Sequence, residues 1–319
     1  MHDSHAHVFP TVAGRTGNGP TQSLTFGRIR HGDCVQQLLS PQNVQTQYPV
    51  EMLVANLDAL GIERTMLLQG PFYGTTNTYQ AAALAAFPDR LWGAMRFDPW
   101  SDPPALLTEL VATKRYRALK LECSVPTGLT GIHPELALDA PDLDWIWRLL
   151  AEWDLALTLD LGRPGTASYQ TGAVEGIARR HPGLRILIAH LGQPDASCLQ
   201  PGPSRDLWHG QLVLGTLPNV WFDCAALPAY FPDEEYPQPS AIACMQEAFR
   251  LLGPGKILWG TDQPGVLHQL PLRYLIRLAR HCAADLDEEG WHRFTEGNFH
   301  DVYGPRQLGT AAAGRNKNV

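Results

Sequence analysis

The sequence has no long apolar run and no opening segment of the kind that directs secretion. No window approaches the roughly 18 consecutive apolar residues that a membrane helix requires. No basic stretch followed by an apolar segment stands at the start of the chain. We therefore expect a protein that neither spans a membrane nor carries a recognisable secretion signal.

Cysteine is sparse and dispersed. The chain has 6 cysteines, far apart and without a Cys-x-x-Cys pair. This spacing argues against a zinc knuckle and against a disulfide framework. We expect mostly reduced, buried thiols in a cytoplasmic protein.

Basic residues are too few and too scattered to bind a phosphate backbone. Lys and Arg number 25 against 32 Asp and Glu, which gives a formal net charge of −7. Binding to nucleic acid requires clustered Lys and Arg, so we expect a small-molecule substrate and no nucleic-acid partner. Hydrophobic residues make up 44% of the 319 positions, which is typical of a globular protein with a sizeable core.

Eight short apolar runs, rich in Val, Ile, Leu and Trp, alternate with amphipathic stretches. The predicted strands cover residues 3–9, 64–69, 91–98, 116–123, 155–162, 184–191, 220–226 and 256–262. The predicted helices cover residues 50–60, 78–86, 103–114, 142–153, 171–180, 205–216, 239–252 and 270–282. Continuous apolar strands joined by crossover helices indicate a parallel sheet with both faces covered.

The number of strand-and-helix units predicts the fold. Eight β/α units are the number that closes into a (β/α)8 TIM barrel. A doubly wound open sheet would normally carry a GxGxxG loop after its first strand, and that sequence is absent there. We predict a single α/β domain over residues 1–304 and a mobile tail over 305–319, which has no apolar period.

Several connections that follow predicted strands are long. The first, residues 10–49, is rich in Gly, Pro, Thr and Gln, and others follow strands 4, 6 and 7 at 124–141, 192–204 and 227–238. All of them follow strands, so they lie at the carboxyl-terminal face of the predicted barrel. Long loops at that face usually shape a substrate pocket.

Two histidines of the first strand form a candidate metal site with a distant aspartate. His5 and His7 lie two residues apart, so both side chains point into the barrel, where two imidazoles can share a metal. Asp262, in LWGTD, ends the eighth strand, which lies beside the first in a closed barrel. Closure therefore brings Asp262 to the histidine pair.

Further ionisable residues end the predicted strands 4, 5 and 6. His190 ends strand 6 in IAHLG, where barrel enzymes keep catalytic groups. Lys120 and Glu122 end strand 4, and Asp160 ends strand 5. An ionisable side chain inside a barrel is costly unless it is paired or metal-bound, and Lys120 is a possible partner for one of the two acids.

Taken together, these segments resemble the amidohydrolase superfamily. The branch in question holds the amidohydrolase-related hydrolases, the aminocarboxymuconate semialdehyde decarboxylases and the pyrone-dicarboxylate lactonases. The matching segments are Asp3-Ser4-His5-Ala6-His7, IAHLG with His190, WGTD with Asp262, and GNFHDVYG at 297–304.

The resemblance implies one divalent metal, zinc or manganese, on His5, His7 and Asp262, with His190 acting on the substrate or its water. The branch usually has a further histidine ligand at the end of strand 5, where this chain has Asp160. Either Asp160 or Glu122 takes its place at the metal. The remaining possibility is that no tightly bound metal is present, as in the related pyrone-dicarboxylate lactonases.

Four residues are candidates for substrate binding. Arg163, just after strand 5, and Arg96, near the end of strand 3, are placed to pair bidentately with a substrate carboxylate. Lys120 is a further cationic candidate, and Tyr169 a neutral hydrogen-bond donor.

These observations favour a metal-dependent hydrolase of a small cyclic or conjugated ester, lactone or amide that carries a carboxylate. A metal on the two strand 1 histidines lowers the pKa of bound water towards ~7. Asp262 would take the proton and pass it to the leaving group, while His190 polarises the carbonyl oxygen. The alternatives are a non-oxidative decarboxylase of an aromatic or unsaturated acid and a barrel that binds a ligand without turnover. A homodimer is also possible.

Overall fold

A computed structural model describes residues 1–306 of the chain, so all but the first two residues of the predicted tail lie outside the described residues. The strands, in chain order, are β1 (His2–Ala6), β2 (Arg15–Thr16), β3 (Gly19–Ser23), β4 (Arg28–His31), β5 (Cys34–Gln37), β6 (Arg64–Leu67), β7 (Leu91–Arg96), β8 (Ala118–Glu122), β9 (Ala156–Asp160), β10 (Arg185–Ile188), β11 (Val220–Asp223) and β12 (Ile257–Leu258).

Eight of these strands form a parallel barrel. β1 and β6 to β12 pair side by side in chain order. Every residue of β8, β9 and β10 is buried, because the barrel interior covers one face of each strand and a helix layer the other. The predicted (β/α)8 TIM barrel is confirmed.

The barrel closes where the first and last of its strands meet. The amide of Ser4 donates to the carbonyl of Trp259 at 3.0 Å, and the amide of Asp262 donates to the carbonyl of His5 at 2.8 Å. A parallel bridge joins Ala6 to Gln263. The two segments that carry His5, His7 and Asp262 are therefore direct neighbours.

A buried carboxylate stabilises this seam, the junction between the first and last barrel strands. Asp3 is fully buried and accepts hydrogen bonds from Thr261 N at 2.8 Å, Thr261 Oγ1 at 2.6 Å and Gln263 Nε2 at 3.0 Å. Burial raises its pKa to about 6, against the opposing effect of these donors. The donors make a buried carboxylate tolerable at this position.

Helices cover the outside of the barrel. The α-helices are α1 (Val50–Leu60), α2 (Asn77–Ala86), α3 (Pro104–Ala112), α4 (Leu129–Ile132), α5 (Asp144–Glu152), α6 (Thr171–Arg180), α7 (Pro203–Leu212), α8 (Pro239–Leu252), α9 (Leu272–Cys282), α10 (Glu288–His292) and α11 (Asn298–Tyr303). Short 3-10 segments are Pro141–Leu143, Ala189–Gly192, Ala196–Leu199, Val213–Thr216, Leu227–Tyr230, Pro254–Lys256 and Gly265–His268, and Arg293–Gly297 is a π turn.

These elements agree with the sequence predictions to within two residues at most ends, but β1 and β12 are shorter than predicted and end before His7 and Asp262. The helices predicted at 171–180 and 239–252 have those bounds, whereas the one predicted at 205–216 divides into α7 and a 3-10 segment from residue 213. No helix of the described residues is long and apolar enough to cross a membrane.

The last helix, α11, packs at the amino-terminal end of the barrel. Phe299, Val302 and Tyr303 join a buried cluster with Met66, Leu68, Ala94, Ala118, Ala156, Leu187 and Leu258 of the barrel wall. The hydroxyl of Tyr303 bonds that of Thr158 at 2.9 Å. This end of the barrel is therefore filled by apolar side chains.

The long first connection contains a sheet that the sequence analysis treated only as a loop. β2 to β5 form a four-stranded antiparallel sheet over residues 15–37. The sheet lies on the carboxyl-terminal side, since Gln36 and Leu38 at its edge line the cavity described next.

Candidate active site

A cavity of about 500 Å³ opens at the carboxyl ends of the barrel strands. Its lining residues come from nearly every strand end and from the long connections. They are His7, Gln36, Leu38, Gly70, Phe72, Tyr73, Lys120, Glu122, Ser124, Val125, Pro126, Thr127, Asp160, Gly162, Arg163, Thr166, His190, Gln193, Tyr230 and Asp262.

The rings of His5 and His7 are each oriented by a hydrogen bond at Nδ1. His5 Nδ1 lies 3.1 Å from Asp223 Oδ2, and His7 Nδ1 lies 2.6 Å from the carbonyl of Leu68. A carbonyl only accepts, so His7 Nδ1 carries a proton; Nε2 donates to Asp262 in the protonated ring and has a lone pair for a metal in the neutral ring. Burial lowers the pKa of both histidines, and for His5 the nearby Lys120 adds to the effect.

Asp262 faces both imidazoles from the other end of the chain. Its Oδ1 lies 2.9 Å from His7 Nε2 and 3.5 Å from His5 Nε2. The residue has a φ of 63°, a left-handed conformation that non-glycine residues rarely adopt. Burial opposes its ionisation, but the bond to His7 and the positive charges near it lower its pKa overall.

This donor set fits a divalent metal. In the neutral rings, the lone pairs of His5 Nε2 and His7 Nε2 both face Asp262 Oδ1, an arrangement that a cation between them would stabilise. Two nitrogens and an oxygen suit zinc, and metal-binding histidines usually donate their other N–H to a carboxylate or carbonyl, as both do here. The ligand atoms of His5, His190 and Asp262 all lie within 4.8 Å of one another, a group without His7, but a doubly protonated His190 has no lone pair to offer an ion.

Lys120 places a positive charge against the same histidine. Its Nζ lies 3.2 Å from His5 Nε2 and 3.6 Å from Glu122 Oε2, and the side chain is 2% exposed. Because His5 Nδ1 faces Asp223, Nε2 is the atom that accepts from the ammonium group. A metal at His5 therefore requires that the lysine amine turn away from Nε2.

Glu122 and Asp160 share one wall of the cavity and have partners other than the histidine pair. Burial, with the charge of Asp160, raises the pKa of Glu122 to about 8. Asp160 shows the opposite change, since although burial favours its neutral form, His190 at 3.1 Å lowers its pKa. Within residues 1–306 neither acid belongs to a three-ligand metal cluster.

His190 stands on a left-handed turn at the end of β10. Its φ is 59°, and Leu191, Gly192 and Gln193 also have positive φ values. The His190 amide donates to Asp223 Oδ1 at 2.8 Å, and the Leu191 carbonyl accepts from Trp208 Nε1 at 2.8 Å. These bonds hold a backbone conformation that is unfavourable for residues with a Cβ.

The His190 ring is held as a cation. Nε2 lies 3.1 Å from Asp160 Oδ2 and Nδ1 lies 3.1 Å from the carbonyl of Ala225. Both partners accept hydrogen bonds, so both ring nitrogens carry protons. Burial opposes the charge, yet Asp160 and the other carboxylates raise the pKa of His190 to about 10.

The four residues predicted to bind substrate separate into two groups. Arg163 and Lys120 line the cavity. Arg96 is not among the lining residues, because its Nη1 pairs with Asp102 at 3.1 Å. Tyr169 is also buried away from the cavity, and its hydroxyl donates to the carbonyl of Gly192 at 3.1 Å. Tyr169 thus braces the turn that carries His190.

One residue of the site was missed at the level of sequence. Asp223 ends β11, is fully buried, and contacts both the His5 ring and the backbone of His190. The signal was present, since Asp223 ends an apolar strand in VWFD just as Asp160 does in LTLD. Gln193 was missed too, and its Nε2 donates to Asp160 Oδ1 at 2.7 Å.

The chain is similar to several known proteins. The chain is 26% identical to an L-fucono-1,5-lactonase from Burkholderia ambifaria over 275 residues, 82% of this chain and 79% of the relative. A zinc-bound structure of an amidohydrolase from Burkholderia multivorans has a TM-score of 0.70 at 15% identity and covers 95% of this chain and 98% of its own.

Two further structures share the fold. A probable 2-pyrone-4,6-dicarboxylic acid hydrolase from Acinetobacter baumannii, with citric acid bound, has a TM-score of 0.65 at 18% identity over 95% of this chain and 98% of that one. The 5-carboxyvanillate decarboxylase from Sphingomonas paucimobilis has a TM-score of 0.53 at 18% identity over 78% of this chain and 81% of that one.

The amidohydrolase family matches residues 2–304, which includes every barrel strand and all the site residues described above. Its members typically bind a divalent metal, in keeping with the donor set at the cavity. The resemblance seen in the strand-end motifs is thereby confirmed: this chain is an enzyme of the amidohydrolase family.

Proposed function

We propose that this enzyme opens the ring of a small lactone by hydrolysis. The observation that carries the proposal is the placement of the Asp262 carboxylate, whose lowered pKa keeps it ionised, beside two neutral imidazoles and the cationic His190 at one cavity. The similarity to an L-fucono-1,5-lactonase supports a lactone as the substrate.

A divalent metal, with zinc first and manganese second, would be held by His5, His7 and Asp262. Bound there, it supplies a Lewis acid that makes water acidic enough to lose a proton near neutral pH. Lys120 would then bond Glu122 in place of His5, since Glu122 Oε2 is already 3.6 Å from its Nζ.

Asp262 accepts the proton of the attacking water at its carboxylate. The water oxygen adds to the lactone carbonyl carbon, and the ring C–O bond then breaks. The departing alkoxide oxygen takes the proton back from Asp262, so that the product is an open-chain hydroxy acid. The imidazolium of His190 stabilises the negative charge that develops on the carbonyl oxygen.

The charges of the cavity limit the substrate. Lys120 and His190 already face His5 and Asp160, whereas Arg163 makes no ion pair in the described structure and is exposed at the mouth. Tyr73 and Tyr230 line the cavity as neutral hydroxyls, because burial raises the pKa of each. The cavity therefore suits a lactone with several hydroxyl groups and at most one carboxylate, which Arg163 binds.

The test is product analysis on a panel of lactones in ¹⁸O-labelled water. We expect uncharged sugar lactones to react fastest and a pyrone dicarboxylate slowest, with one ¹⁸O in the carboxylate of the product. Carbon dioxide release from an aromatic acid would instead establish the decarboxylase alternative. Binding without turnover, in enzyme loaded with zinc or manganese, would support the inactive barrel.

Two other sequence-level predictions belong with this proposal. We also propose a cytoplasmic location, which is supported by the six dispersed cysteines, all of them free thiols in the described structure. The sequence allows a homodimer without selecting it, and light scattering of the purified enzyme measures the oligomeric state directly.

A further inference from the structure

A second cluster of potential metal ligands lies at the amino-terminal end of the barrel, opposite the catalytic cavity. His2 opens β1, Glu296 lies in the π turn, and His300 lies on α11. One ligand atom from each of the three residues lies within 4.8 Å of the other two. The two imidazole Nε2 atoms are 2.9 Å apart.

This spacing is close to that of two ligands on one ion. In a tetrahedral zinc site with Zn–N distances of about 2.0 to 2.1 Å, two nitrogens lie roughly 3.3 Å apart. The imidazoles of His2 and His300 need to separate by only a few tenths of an ångström to reach it. Glu296 is 35% exposed and faces the Met1 amino group at 4.0 Å and His292 Nε2 at 3.7 Å, so an ion would compete with these two contacts for its carboxylate.

The two imidazoles are joined by a hydrogen bond, in which one Nε2 donates its proton and the other accepts it with its lone pair. Burial, followed by the effect of His300, lowers the pKa of His2 to about 4. Burial, followed by the charge of Arg64, lowers the pKa of His300. Neutral histidine is the form that binds transition metals, and an ion on both Nε2 atoms requires that the proton of this hydrogen bond move to Nδ1 of its ring.

The surrounding groove also favours a cation. Its charged lining residues are four carboxylates, Asp58, Glu63, Asp89 and Glu296, against two guanidinium groups, Arg64 and Arg90. Arg90 pairs with Asp58, and the Arg64 guanidinium stacks 4.7 Å above the Trp92 ring. The α-amino group of Met1 adds a third positive charge, 3.9 Å from Glu63 and 4.0 Å from Glu296, so the groove has one more carboxylate than cations.

We propose that His2, Glu296 and His300 form a binding site for a divalent transition-metal ion such as Zn²⁺. The ligands are a neutral pair of imidazoles and one carboxylate, a set that prefers borderline metals to Mg²⁺ or Ca²⁺. The ion would tie the first strand of the chain to its last helix. It is distinct from the metal of the catalytic cavity and independent of the proposed lactonase activity.

Trp92 provides a local reporter of this site. Its ring lies 5.5 Å from that of His300 and 5.1 Å from that of Phe299. Co²⁺ quenches indole fluorescence at such distances, whereas Zn²⁺ does not. We expect Co²⁺ to quench part of the protein fluorescence, excess Zn²⁺ to reverse this, and Trp92→Phe to remove that part of the quenching.

The experiment is done on His7→Gln, which removes a catalytic-face ligand, and compares added ligand variants. His300→Gln and Glu296→Gln should each weaken the Co²⁺ quenching at least tenfold, while His281→Gln, at an exposed histidine of α9, leaves it unchanged. Elemental analysis should show one Zn²⁺ per chain fewer for His300→Gln than for its parent. Two ligand variants are used so that a folding defect in one does not decide the result.

Stability gives a readout that does not depend on activity. Zn²⁺ at 100 times its Kd should raise the melting temperature of the His7→Gln protein by about 3–5 °C and leave that of the His300→Gln protein unchanged. Equal Co²⁺ quenching and equal zinc content with and without His300 and Glu296 would overturn the proposal. Neither result bears on lactone hydrolysis, so the metal-site proposal and the lactonase proposal can fail independently of each other.

Discussion

The two ends of the barrel use opposite kinds of residue. The carboxyl end gathers His5, His7, Asp160, His190 and Asp262, two of them on left-handed backbone. The amino end holds the apolar side chains of α11 against the lower barrel wall, with two neutral imidazoles at its rim. Residues that stabilise the fold therefore lie at one end of the barrel and residues suited to catalysis at the other, as in other barrels of this kind.

The largest expected effect comes from creating a cavity in the apolar cluster at the amino-terminal end of the barrel. Phe299 is 2% exposed, and Phe299→Ala removes its ring from the cluster beneath the barrel. We expect the free energy of unfolding to fall by about 3–5 kcal/mol, because a cavity replaces the ring. Urea titration measures this. Turnover at 25 °C in the folded fraction should be unchanged, and a matching loss of turnover would show that the two ends are coupled.

The converse change removes chemistry and spares stability. Asp262→Asn keeps the size of the side chain and removes the base, so turnover should fall on the order of 10²-fold or more. The melting temperature should stay within a few degrees of that of the unmodified enzyme. Unchanged kinetics on the true substrate would assign the proton to Asp160 or Glu122 instead.

The charge on His190 makes part of the stability depend on pH. Its pKa in the folded protein is about 10, above the ordinary 6.5. The charge therefore stabilises the fold fully below pH 6.5, and this contribution is lost as the pH rises through about 10. The difference in unfolding free energy between the enzyme and His190→Asn should shrink over that range. When both proteins also carry Asp160→Asn, the difference in unfolding free energy measured at pH 6, 8 and 10 should change less with pH.

Substitutions of two arginines distinguish a side chain that binds substrate from one that only stabilises the fold. Arg163→Gln should raise KM up to about tenfold for a lactone that carries a carboxylate, with little change for a neutral one. Arg96→Gln, its matched control, should leave KM unaltered and lower stability by about 1 kcal/mol through loss of the pair with Asp102. The reverse pattern in steady-state kinetics would place Arg96 rather than Arg163 at the substrate.

The smallest expected effect concerns the brace behind His190. Tyr169→Phe removes the hydroxyl that donates to Gly192 and should cost about 1 kcal/mol of stability. KM should not change, because the hydroxyl does not reach the cavity. A large rise in KM would restore Tyr169 as a substrate-binding residue.

Much of the fold could be predicted from the sequence because the number of strands determines whether a barrel closes. Eight apolar runs separated by amphipathic stretches leave few architectures, and closure then places His5, His7 and Asp262 together. His190 followed from its position at a strand end. These inferences depend only on strand order and the two-residue period of a strand, which are visible in one sequence.

What the sequence did not reveal depends on side-chain direction and loop structure. Arg96 ends β7 and Tyr169 lies in the loop after β9, yet each points to a partner away from the cavity. The sheet of β2 to β5 was hidden because its strands are short and polar, although Gly32 and Asp33 form a two-residue turn between β4 and β5. Lys120 beside His5 depends on the rotamer of a long side chain, which no periodicity predicts.

The seam between the first and last barrel strands has a consequence for how the enzyme is made. His5 and Asp262 meet only when both ends of the chain are present, since the amide of Asp262 donates to the carbonyl of His5. During synthesis, β1 has to wait with one edge unpaired until more than 250 further residues have left the ribosome. Contacts of such sequence separation form late in folding. A chain released before residue 262 would have both histidines and no carboxylate opposite them, so catalytic competence arises only with the final barrel strand.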